Sequence, residues 1–195
     1  MNDVQEFFDI RASKWDSWSD EKPEFIKQLI SLLSIKEGGR VLDLACGTGI
    51  LTPYLLQTKA AYILGLDLSP KMIEVAKGKF QENARLQFKV GDFYQSDCGE
   101  FDSIICFDAY PHFLDVPGFV KAAHQHLKKD GILLIAHDSG RVALDKHHDA
   151  HAKGVSRHLL PVEEEVKPFE SLFQVIKIEE TDSSYILLLK RKKSS

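Results

Sequence analysis

Cysteine is scarce, with three in 195 residues at Cys46, Cys98 and Cys106, an odd number that contains no CxxC pair. That count and spacing argue against a disulfide framework or a structural zinc site, and the three read as reduced thiols. Long apolar runs are missing too. No stretch approaches membrane-spanning length, and the acidic start at 1–6 has no apolar signal core, so the expected setting is cytoplasmic, with no membrane partner. Basic charge is short as well: 25 Lys and Arg stand against 29 Asp and Glu, a net charge of −4. No global basic field is available to hold a polyanion, which disfavours nucleic acid as a partner. The one basic cluster, 190–193, follows the last apolar run and reads as a solvated terminus. Internal repeats and low-complexity segments are absent.

What is present is ordinary globular composition, 44% hydrophobic and 28% charged, enough for one domain over 1–195 with its own core. The chain is organised around 41–49, Val-Leu-Asp-Leu-Ala-Cys-Gly-Thr-Gly: an apolar run, an acid, a glycine-spaced turn, then the helix-like stretch 50–56. Gly47 and Gly49 permit positive φ and close approach of a ligand to the backbone. No lysine follows them, as a phosphate loop requires, and the turn lacks the third small residue of a dinucleotide-binding fingerprint. Taken alone, such a turn is equally a plain strand-to-helix connection.

Periodicity predicts a helix over 3–18 with Phe7, Phe8, Ala12, Trp15 and Trp18 on a docked face, and a second helix beginning at Pro23. Strands follow at 40–44, 61–67, 85–90, 101–107 and 132–136. Helices at 50–57, after Ser69-Pro70, and at 117–127 separate them, with a turn at 129–131. This alternation implies an α/β fold with a parallel sheet and right-handed crossovers. Residues 137–160 break the pattern as a histidine-bearing insert, and 161–170 reads as a helix. Strands at 173–179 and 185–189 are joined too closely for a crossover and must be antiparallel. Asp43, Asp67 and Asp92 end or adjoin the first three strands, so a parallel sheet brings them to one edge. Three acceptors there suit a ligand with an amine, a ribose diol and an exocyclic amino group, and would repel a pyrophosphate.

VLDLACGTG at 41–49, GLDLSPKMIEVAK at 65–77, GDFYQ at 91–95, FDSIICFDAYPHF at 101–113 and LKKDGILLI at 127–135 resemble, in order and spacing, the motifs of the class I S-adenosylmethionine-dependent methyltransferases. Lys129-Asp130 stands where that family has Pro-Gly. The resemblance implies a Rossmann-like, seven-stranded mixed sheet of order 3-2-1-4-5-7-6 with the last strand antiparallel, and S-adenosyl-L-methionine as cofactor. By it, Asp43, Ala45, Gly47 and Gly49 hold the methionine end, and Asp67 takes the ribose hydroxyls. Leu68 and Met72 flank the adenine, Asp92 and Phe93 meet it, and Phe107 with Asp108 closes the site beside the methyl group. FFDIRASKWDSW is similar to a segment that many small-molecule members fold over the cofactor, making 1–35 a lid, with Arg11 and Trp15 as candidates to touch substrate or the cofactor carboxylate.

Methyl transfer from a sulfonium is an in-line displacement that needs a base only when the nucleophile keeps its proton. Candidates are Tyr110 and His112 past the fourth strand and His137 ending the fifth; Tyr110 is also a candidate to line the substrate pocket. HDSGRVALDKHH is similar to the pattern H-S-x-S-R-x-x-x-N-x-x-H of some small prokaryotic members, which makes His137, Arg141 and His148 the substrate-facing set. Gly140 and Asp145 depart from it. His147, His148 and His151 have helical spacings that suit metal ligation, but no frame of further ligands accompanies them and no metal is assigned. The expected function is methyl transfer to a small molecule. The alternatives are a nucleic-acid or protein methyltransferase, or a non-catalytic cofactor- or metal-binding protein. Neither the acceptor atom nor the oligomeric state is legible.

Overall fold

Phe101–Phe107 (β4) is almost wholly apolar because it runs through the middle of the sheet, covered on both faces. In this computed structural model, which describes residues 3–18, 22–80 and 83–193, β4 pairs in parallel with Arg40–Leu44 (β1) on one side and Leu127–His137 (β5) on the other. β1 pairs in turn with Tyr62–Asp67 (β2), and β2 with Leu86–Val90 (β3). Phe173–Glu180 (β6) and Tyr185–Arg191 (β7) close the far side as an antiparallel hairpin, β7 lying against β5. The order is 3-2-1-4-5-7-6, as the family resemblance implied. Parts of the expected 1–35 lid, residues 1–2 and 19–21, lie outside the described residues.

Alternation along each strand splits the core in two, because successive side chains leave opposite faces. Leu42, Leu64, Ile104 and Leu133 join Phe119, Ala122 and Ala123 of Val116–His126 (α5) on one face. Val41, Ile63, Ile105 and Leu134 meet Ile26 and Leu29 of Pro23–Leu32 (α2) and Leu55 of Thr52–Leu56 (α3) on the other. Ser69 caps Pro70–Lys79 (α4) as expected, its hydroxyl accepting from Met72 N at 3.0 Å, and Met72, Ile73 and Ala76 are buried.

Four expectations are corrected. The helix over 3–18 stops at Arg11: Asp3–Arg11 (α1) gives way to a 3₁₀ segment, Ala12–Trp18. Asp16 in this segment bonds Thr48 and Lys79 across the cavity floor, Ser17 Oγ donates to Lys14 O at 2.6 Å, and Trp18 is exposed instead of docked. The turn at 129–131 is absorbed into β5, with Asp130 at φ +62° and a register shift against β4. The helix at 161–170 divides into Val162–Glu165 (α7) and a 3₁₀ turn at Lys167–Phe169, where Pro168 cannot continue the α-helical ladder. The basic run 190–193 is no loose tail. Lys190 and Arg191 belong to β7, Lys190 pairs with Asp130 at 3.1 Å, and Lys192 Nζ donates to Glu170 O at 2.6 Å.

Candidate functional site

The strand order reverses between β1 and β4, and open α/β sheets bind ligands outside the carboxyl ends of their strands at such a switch point. A cavity of about 1600 Å³ opens there, floored by the turn after β1 and walled by α1, the 3₁₀ segment and the insert helix Arg141–His151 (α6). That is ample room for a nucleoside-sized ligand and a second small molecule, since a drug-sized pocket needs roughly 300–1,000 Å³.

The turn itself takes three left-handed steps at alternate positions among five: Ala45 at φ +55°, Gly47 at +53° and Gly49 at +89°. At Gly49 a Cβ would also stand 2.7 Å from the Phe80 ring, so only glycine fits. At Gly47 the space above is open, the nearest atom to a Cβ being Trp15 Nε1 at 3.9 Å. Asp67, at the end of β2, clips this turn to the next one: its two oxygens accept from Gly47 N and Ser69 N, each at 2.8 Å. Burial pushes its carboxyl up to about 6 against the lowering effect of those two bonds.

Nearly all the residues expected at the cofactor line the cavity: Ala45, Gly47, Gly49, Asp67, Leu68, Met72, Asp92, Phe93 and Phe107. Asp43 is the exception. It is buried beneath the turn, outside the lining, with Oδ2 unpartnered, and burial together with the nearby Asp67 pushes its carboxyl up to about 8. Asp92 anchors its own loop, accepting from Tyr94 N at 2.9 Å and Gln95 Nε2 at 3.1 Å. Phe93 packs against Phe119 and Phe113 with ring centroids 5.6 and 6.2 Å away.

Arg11 and Trp15 line the cavity, as do His112 and His148. Three other candidates do not. Tyr110 is fully buried and donates to Glu165 Oε1 at 3.0 Å, so its hydroxyl serves the core and burial drives its acidity far beyond the working range. Arg141 turns away to pair with Glu180 at 2.8 Å, tying α6 to β6. His137 is fully buried behind the wall, neither ring nitrogen hydrogen-bonded, with Nδ1 3.4 Å from Asp108 Oδ1. Asp108 does line the cavity, in a left-handed conformation at φ +51°, and also accepts from Asp138 N at 3.1 Å. The departure at Gly140 has a steric reason: a Cβ there would lie 2.4 Å from Thr181 O in the β6–β7 turn. His147 and His151 stack at 4.6 Å, with His151 Nδ1 donating to His147 O at 3.0 Å. Among the described residues no group of three His, Cys, Asp or Glu side chains is arranged to hold a metal ion.

Two carboxylates that sequence reasoning passed over join the N-terminal segment to the cavity floor. Asp9 Oδ1 accepts from Ser69 Oγ at 2.5 Å and Lys71 N at 3.2 Å. Asp16 accepts from the Thr48 hydroxyl and pairs with Lys79 at 2.8 Å. Their signal was faint: two acids seven apart in an aromatic segment.

A family model described as a methyltransferase domain matches residues 42–135. The malonyl-[acyl-carrier protein] O-methyltransferase of Acetivibrio thermocellus is 28% identical over 169 residues, which are 85% of this chain and 58% of that protein. The chain thus spans little more than half the length of that relative. Among solved structures, a chain of the complex between the Haloferax volcanii Trm112 methyltransferase activator and a methyltransferase superposes with a TM-score of 0.85 at 18% identity, over 98% of this chain and 99% of that one. The N-methyltransferase NodS of Bradyrhizobium japonicum WM9, solved with S-adenosyl-L-homocysteine, gives 0.77 at 15% identity over 98% and 100%. No helix among the described residues is long and apolar enough to cross a membrane. The glycine turn at the switch point, the acids on successive strand ends and the antiparallel final hairpin thus accompany a match to a methyltransferase-domain model over residues 42–135, in a fold shared with these two solved structures.

Proposed function

We propose that this protein binds S-adenosyl-L-methionine in the switch-point cavity and transfers its methyl group to a small-molecule acceptor, leaving S-adenosyl-L-homocysteine. The observation that carries the reading is the donor and acceptor set of the floor. Asp67 and Asp92 present carboxylates at adjacent strand ends, which fits hydroxyl and amino donors, and no lysine follows the glycines to hold a phosphate. Asp43's orphaned oxygen under the turn fits the same picture, because a cationic group above the turn relieves the field that two buried carboxyls create. Asp67 would hold the ribose, Leu68 and Met72 the adenine faces, Asp92 and Phe93 its edge, and the 47–49 turn with Arg11 and Trp15 the methionine end. The bound sulfonium supplies an electrophilic methyl group. The chain's own work is then to align an acceptor, exclude water and take a proton where the acceptor carries one.

Residues 1–35 act as the lid and 137–160 as the acceptor-side wall, in a protein we take to be cytoplasmic. His112 and His148 are the catalytic candidates that line the cavity. Titration calorimetry with S-adenosyl-L-homocysteine tests the reading: binding is expected, and Asp67→Ala weakens it at least 10-fold, the loss of one charge-assisted hydrogen bond being worth about 1.5–3 kcal/mol. Asp67→Asn, which keeps one acceptor oxygen, falls between. Equal affinity in all three proteins would overturn the site assignment. Methyl transfer to a nucleic acid or protein, with none to small molecules, would replace the acceptor class.

A further inference from the structure

Ser69 is fully buried at the head of α4, and its polar atoms tie together three parts of the molecule. Its amide donates to Asp67 Oδ1 at 2.8 Å, its Oγ accepts from Met72 N at 3.0 Å, and its hydroxyl hydrogen goes to Asp9 Oδ1 on α1 at 2.5 Å, since a carboxylate only accepts. The same Asp9 oxygen accepts from Lys71 N at 3.2 Å, one of the first-turn amides that no helical carbonyl serves. A helix cap is usually a local affair. This one is completed from 60 residues upstream, by a carboxylate placed where the helix dipole favours negative charge.

Three residues that line the cavity hang from this cap: Asp67 and Leu68 just before it and Met72 in the first turn after it. Asp67 Oδ2 in turn holds Gly47 N at 2.8 Å. The route from the N-terminal segment to the carboxylate expected at the ribose therefore passes through one side chain, from Asp9 to Ser69 to Asp67. Asp16 fastens the same segment by another route, to the Thr48 hydroxyl and Lys79, and among the described residues none of its bonds reaches Ser69 or Asp67. Charge follows the first route as well. The titratable groups acting on Asp67, among the described residues, are Asp9 from α1, Asp43 on β1 and Cys46 in the turn, while Lys71 of α4 lies beside Asp9 and pairs with Glu74. After burial itself, Asp9 adds to the rise of the Asp67 carboxyl.

We propose that Asp9 is a positioning residue for the cofactor's ribose: seated on Ser69, it fixes the α4 cap and through it the Asp67 carboxylate, so that docking of the N-terminal segment and recognition of the ribose form one coupled equilibrium. This rests on the cofactor reading above. The coupling runs both ways by thermodynamic necessity, so a ligand that engages Asp67 holds the segment down as firmly as the segment holds the ligand. Asp16, by contrast, closes the cavity without touching the ribose carboxylate. The two acids divide the segment's work between orienting and fastening.

Calorimetry with S-adenosyl-L-homocysteine at pH 8 tests the proposal, and a parent protein that fails to bind would sink the cofactor reading itself and this inference with it. Given binding, Asp9→Ala is expected to weaken it by about 3–10-fold, the weight of one hydrogen bond. Added to Asp67→Ala, it should weaken binding by less than about twofold more, because residues that act as a unit are not additive. Asp16→Ala should weaken binding by the same factor with and without Asp67. Asp9 and Asp67 losses that multiply, or an Asp9→Ala protein with parental affinity, would overturn the proposal. A second readout, the pH profile, needs no change at Asp67. As Asp67 takes up its proton near pH 6 the parent's affinity should fall, and in Asp9→Asn, which keeps an acceptor oxygen and loses the charge, that fall should move to lower pH. Asp43 titrates alike in the parent, in Asp9→Asn and in Asp16→Asn, and the last should match the parent's profile. A fall left in place by Asp9→Asn, or moved equally by Asp16→Asn, would reduce Asp9 to a fastening and overturn its positioning role.

Discussion

Asp43 and Asp67 are two carboxyls that the fold forces to share a poorly solvated corner, and the protein's response to pH is written there. The unfolded chain releases the Asp43 proton near its ordinary value of 3.8, whereas the folded chain holds it to about 8. Across that window the native state binds more protons than the unfolded one, so stability falls as the pH rises. Asp67 adds the same sign up to about 6, while His112 and His148, depressed to about 4, oppose it below about pH 6.5. Between pH 6.5 and 8 Asp43 dominates. Urea unfolding of the ligand-free protein should lose stability there by up to about 1.4 kcal/mol per pH unit, and Asp43→Asn should flatten the slope. Parallel slopes in the two proteins would mean that Asp43 is already ionised. The sequence showed that Asp43 ends a strand next to a glycine turn. It did not show that the side chain lies under the turn, because that depends on which face of β1 the residue takes and on what β2 places beside it.

Among the elements, the N-terminal segment is held to the cavity floor by side-chain carboxylates. Its α-helix has no buried residue, and what fastens it to the floor is Asp9 on the α4 cap and Asp16 on Thr48 and Lys79. Partly exposed pairs of this kind are worth about 0.2–1 kcal/mol each. Asp9→Asn and Asp16→Asn should therefore speed S-adenosyl-L-homocysteine release by about 2–5-fold singly and more together, measured by stopped-flow with Trp15 fluorescence. An unchanged release rate in the double variant would remove the segment's role as a lid. Most strands were legible to within a residue or two, since apolar runs such as 101–107 and short turns constrain both ends, but β5 begins five residues before its expected start. The break at Arg11 was not, because the 3₁₀ geometry is selected by contacts of Asp16 with Thr48 and Lys79, 32 and 63 residues away. The same holds for Arg141 and Tyr110. Their distance along the chain from a strand end was right for a site, but Glu180 and Glu165 had prior claim on their polar atoms.

At the scale of the whole molecule, the ties between the loop after α6 and the body include a buried knot at Glu165. Glu165, 2% exposed, accepts two bonds from Arg157 at 2.7 and 3.1 Å, one from Leu160 N at 2.9 Å and one from Tyr110. Removing one partner of a buried pair strands the other charge, so Glu165→Ala should destabilise the fold by about 3–5 kcal/mol in chemical unfolding. Retained stability would show that water reaches Arg157 and replaces the carboxylate. The ligand edge was open to sequence reasoning because it follows from strand and helix alternation, and the sheet order through the family resemblance, whereas knots such as this one join residues that no period relates. Ala45 and Asp108 are also set apart by their backbones, since each is held in a left-handed conformation that disfavours any side chain by about 1–2 kcal/mol. A laboratory selection for heat resistance, run with no ligand present, would accordingly drift toward glycine at both positions. The survivors would be sturdier and poorer catalysts, with Asp108's carboxylate gone from the cavity and Ala45's methyl gone from its floor, so any stability screen on this chain should carry a binding step alongside it.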